Sequence, residues 1–95
     1  MSILTTVNAS LKHPITEEKI VEILLTGNIE KKWFEHIAVF FTEVHISDIM
    51  LFIKKYDVPI DSIKSCYLKN IKELYPNKEL EEALLIGSEG IRASL

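Results

Sequence analysis

The apolar pattern between Ile29 and Val44 constrains this chain more than any other feature. Ile29, Trp33, Ile37, Phe40 and Val44 recur at three- and four-residue steps, and Phe34, Ala38 and Phe41 widen the line. At 100° per residue the apolar face covers about half the circumference. A helix with such a face touches neighbours on two sides, so residues Ile29 to Glu43 are expected to form the central helix of a bundle. The run Ile37 to Phe41 alone would also suit a buried strand. The polar residues Glu30, Lys31, Lys32 and Glu35 on the other side favour the helix. Trp33, the only tryptophan, is expected to anchor the core with its indole N–H on one acceptor. His36 is expected to be solvated on the polar side.

The rest of the chain divides at glycines and prolines. Ile3, Leu4, Val7 and Leu11 fall on one helical face, and Pro14 limits that helix to residues before it. Thr16 is placed to cap a second helix, with Glu17 and Glu18 at its positive end and Ile20, Val21 and Leu24 inward. Gly27 supplies a left-handed stop. Asn28 is read as the cap of the central helix, which makes the second and third helices neighbours. Ser47 is read as the cap of a fourth helix through Tyr56, with His45 in the preceding loop. Asp57, Val58 and Pro59 form a turn, and a fifth helix, Ile60 to Tyr75, points Ile63, Tyr67, Ile71 and Leu74 inward. Pro76 ends it, Asn77 caps a sixth from Lys78 to Ile86, and Gly87 stops that. Residues 88–95 carry little periodicity and read as a flexible tail. The expected fold is therefore all-α, a compact bundle of five to six short helices in a single domain over residues 1–95.

Composition narrows the function classes. In 95 residues, 47% are hydrophobic, yet the apolar runs are only a few residues long, as from Ile49 to Ile53. A membrane-spanning helix needs about 20. No charged and apolar leader opens the sequence, and the single cysteine, Cys66, has no disulfide partner within the chain. The expectation is a cytoplasmic protein without a membrane segment. A net charge of −3 does not favour non-specific attraction to nucleic acid or anionic lipid.

No catalytic motif emerges. His13, His36 and His45 lack the three- or four-residue spacing that puts two metal ligands on one helix face. The three glycines, Gly27, Gly87 and Gly90, do not form a phosphate loop. Cys66 lies among core positions, where a thiol acts as a small apolar residue. The adjacent pairs Glu17–Glu18 and Glu81–Glu82 diverge by about 100° on a helix, so neither is a carboxylate dyad. The expected protein is not an enzyme and carries neither cofactor nor metal.

Two features exceed what a small core requires. On the fourth helix, Leu51 falls about 160–200° from the face made by Ile49, Met50, Phe52, Ile53 and Tyr56, and the sixth helix is apolar all round. This surplus marks an interaction module that binds a protein partner or itself as a homodimer. Met50, Leu51, Leu85 and Ile86 are its expected contacts, with Lys54, Lys55, Glu81 and Glu82 as a charged rim. The alternative is a helix-turn-helix DNA-binding regulator over residues 46–74, reading DNA through Ser62, Lys64, Ser65 and Lys69. Ile53 and Asp57 depart from that motif, which favours a small residue and a glycine there. The segment also has no arginine.

Overall fold

The computed structural model describes residues 3–9 and 13–85. Its helices are α1 (Ile3–Val7), α2 (Glu17–Thr26), α3 (Phe34–Thr42), α4 (Ile46–Lys55) and α5 (Ile60–Asn70), with a 3-10 turn, Lys31–Trp33, leading into α3. Residues 78–85 form α6. No strand occurs among the described residues, and the protein is an all-α bundle. Leu11, Ile86 and the expected tail at 88–95 lie outside the described residues.

The central role expected for the third helix holds. His36, Ile37, Ala38, Phe40 and Phe41 of α3 are all buried. Phe40 meets Phe41 and Phe52 edge-on at 5.2 and 5.7 Å, and Phe41 meets Tyr67 at 5.5 Å. These rings join α3 to α4 and α5. Ile20, Leu24, Ile49, Ile63 and Leu80 of the other helices, with Ile71 in the turn after α5, complete a fully buried core. Two predicted caps are in place. Thr16 Oγ1 accepts the Lys19 N–H at 3.2 Å, and Asn77 Oδ1 accepts the Leu80 N–H at 3.1 Å. Gly27 is left-handed, with φ 74°, and closes α2.

Several expectations are corrected. α1 ends at Val7 instead of running towards Pro14. The Asn8 carboxamide donates to the Ile15 carbonyl at 3.2 Å and accepts the Ile15 N–H at 3.0 Å. This clasp competes with helix continuation, as asparagine side chains do beside their own backbone. α2 packs mainly on α5 and α1 on α3; α2 and α3 are not the close pair that a capping Asn28 implied. Residues 27–30 form no helix instead, Glu30 is extended just before the 3-10 turn, and regular α-helix starts only at Phe34. Tight 3-10 turns are frequent at helix starts. The cap of α4 is His45, not Ser47: its Nδ1 accepts the Ser47 N–H at 3.2 Å.

α5 stops at Asn70, five residues before the expected Tyr75. The Tyr67 carbonyl receives both the Ile71 and Lys72 N–H groups at 2.9 Å, and Asn70 Nδ2 donates to the Gly27 and Cys66 carbonyls. That change of ladder rotates Leu74 out of line, leaving it 64% exposed. His36 is buried, not solvated, and its Nε2 donates to the His13 carbonyl at 2.5 Å. Trp33 lies at the core edge, half-buried, with its ring 5.2 Å from that of His36. Its buried Nε1 has no acceptor among the described residues, contrary to expectation. It sits in the 3-10 turn, where three residues per turn carry the indole off the α3 stripe.

Candidate interaction surface

The C-terminal half of the bundle is organised around Tyr67. Its side chain is fully buried between α5 and α6, and its hydroxyl accepts the Asn77 N–H at 2.7 Å while donating to Glu81 Oε2 at 3.0 Å. Burial, above all, pushes the phenol pKa up. Asn77 Nδ2 donates to the Phe41 carbonyl at 2.8 Å, which ties the start of α6 to α3. Glu81 also pairs with Lys72 at 2.9 Å. That ammonium first, and the Tyr67 hydroxyl second, hold the carboxyl below its usual pKa. The α5–α6 hairpin is thus fixed by polar bonds on one side, with Leu80 and Leu84 buried beneath it.

A mostly apolar groove of about 210 Å³ runs along the outer side of this hairpin, lined by Lys64, Tyr67, Leu68, Glu81, Leu84 and Leu85. Leu68 is 47% and Leu85 50% exposed, while Tyr67 and Leu84 form its floor. A second shallow depression on the same α5 face is lined by Asp61, Lys64, Ser65, Leu68 and Lys69. Leu68 therefore belongs to both. Leu68 is not among the contacts expected from the sequence; at 100° per residue it lies about 120° from the centre of the Ile63–Cys66–Tyr67–Ile71 face, an angle that places it outward.

The residues expected to form one contact set are distributed between two places. Leu51 is 65% exposed, Met50 is half-buried, and Lys54 and Lys55 are exposed on α4. Lys55 bonds Glu17 of α2 at 3.3 Å and lies over the Tyr56 ring, and the Tyr56 hydroxyl donates to Glu17. These contacts lock the α4 end to α2. Leu85 and Glu81 line the α5–α6 groove, to which α4 contributes no residue. Ile86 lies outside the described residues, and Glu82 is exposed on α6.

The residues assigned to DNA reading share the outer side of α5. Ser65 and Lys69 are exposed, and Ser62 and Lys64 half-buried. The α4–α5 connection has Asp57 at φ 56° with Val58 buried under it, so this position does require the left-handed conformation that glycine adopts most easily. Asp61 and Leu68 interrupt the basic residues on that side.

Cys66 is buried, and burial pushes its thiol up to about 11. A thiol held so far from ionisation is a packing group. Among the described residues no three His, Cys, Asp or Glu side chains gather as a metal site needs. A polar cleft of about 400 Å³ between the α3–α4 connection and residues 76–79 has Glu43, His45 and Glu79 on its walls, all exposed. No single described helix is long and apolar enough to cross a membrane. The 3-10 turn and α3 reach that length and composition only together with α4, across a 116° bend. Among the described residues, fold and surface thus define a small helical bundle with an apolar groove on the outer side of α5 and α6. No family model, curated protein or solved structure matches the chain.

Proposed function

We propose that this protein is a non-enzymatic interaction module that binds a protein partner through the α5–α6 groove. The observation that carries this reading is the pairing of Leu68 and Leu85, each about half exposed, along a groove whose floor is apolar and whose rim carries Lys64 and Glu81. An apolar centre with a charged rim is the usual anatomy of a protein interface. Leu51 on α4 is a separate exposed leucine, so the surface proposed from the sequence moves from α4 and α6 to α5 and α6. Regulatory work as an inhibitor, immunity protein, chaperone or adaptor fits a module of this kind, whose chemistry is limited to binding.

Affinity capture from the native cell tests the reading, with Leu68→Glu and Leu85→Glu as controls. The wild-type chain should retain a protein that both variants lose, while circular dichroism shows all three folded. Equal retention by the wild type and both variants would refute the groove as the site.

The second reading, a helix-turn-helix DNA binder, draws support from the left-handed Asp57 in the α4–α5 turn. A gel shift at low salt separates the two. Binding that falls steeply with salt and disappears in a Lys64→Ala, Lys69→Ala double variant would favour DNA. No shift at low salt would end that reading.

A further inference from the structure

We draw no further inference here: the strongest candidate, the apolar groove along the outer side of α5 and α6 between Leu68 and Leu85, belongs to the surface already described, and nothing in the structure shows what covers it.

Discussion

Removing one oxygen from Tyr67 should unfasten the α5–α6 hairpin without disturbing its packing. Tyr67→Phe keeps the ring against Phe41, fully buried, and deletes the hydroxyl that accepts the Asn77 N–H and donates to Glu81. The Asn77 N–H at the start of α6 then loses its protein acceptor in a half-buried position. Leaving such a donor unpaired costs about 1–3 kcal/mol. The Glu81 bond adds to this, but Glu81 reaches solvent and keeps Lys72 as a partner, so its share is smaller. A total of about 2 kcal/mol corresponds to a fall in Tm of roughly 8–16 °C for a domain of this size. Urea unfolding followed by circular dichroism measures it, with an unchanged m-value showing that the native fold persists. The gap between wild type and variant should also narrow in acid. Lys72 and Tyr67 depress the folded-state pKa of Glu81, so its contribution is complete above the unfolded pKa and is lost as pH falls through the folded one. A loss below about 0.5 kcal/mol, the range of ordinary surface changes, would refute Tyr67 as the fastener of the hairpin.

Three further perturbations follow from single residues. Gly27→Ala should cost about 1 kcal/mol in thermal unfolding from backbone strain at φ 74° alone, because a Cβ there meets nothing within 4 Å; a cost several times larger would show a steric clash instead. Cys66, with its thiol raised to about 11, should resist alkylation at pH 8 in the native protein and react at once in urea; rapid native labelling would contradict its burial. Tyr56→Phe should flatten the acid limb of the stability curve. The Tyr56 hydroxyl is the main cause of the depressed Glu17 pKa, and the stabilisation that goes with it is present above the unfolded pKa and lost as pH falls through the folded one. An acid limb as steep as that of the wild type would assign the effect to Lys55.

The elements legible in the sequence were those fixed by local rules. The Ile37–Phe41 part of the α3 stripe, the Thr16 and Asn77 caps and the Gly27 stop depend on residues a few positions apart, and each stands where spacing placed it, whereas Ile29 and Trp33 fall outside the α-helix. The misplaced boundaries have tertiary causes. α1 ends where Asn8 meets Ile15, and α5 ends where Asn70 reaches the Gly27 carbonyl 43 residues away. Nothing in the local pattern announces either bond. His36 was misread for a related reason: it lies beside α3's polar side in projection, yet the chain at His13 folds over it and supplies a carbonyl. The surface was half legible. Exposure of Leu51 and Leu85 followed from helical angles alone, as Leu68 could have, but which of them share a groove depends on how α5 and α6 lie against each other.

The fastening of the N-terminal segment has an evolutionary corollary. Asn8 grips the N–H and carbonyl of residue 15, and His36 grips the carbonyl of residue 13. In each pair one member is read by its side chain and the other only by its main chain. Homologous sequences should therefore diverge freely at position 13, whose imidazole points to solvent, while holding a hydrogen-bonding ring at 36 and a carboxamide at 8. Position 15 should vary only among residues that fill the isoleucine's buried site. An insertion that shifted this register by one residue would disturb both grips at once, although no side chain in the segment had been altered.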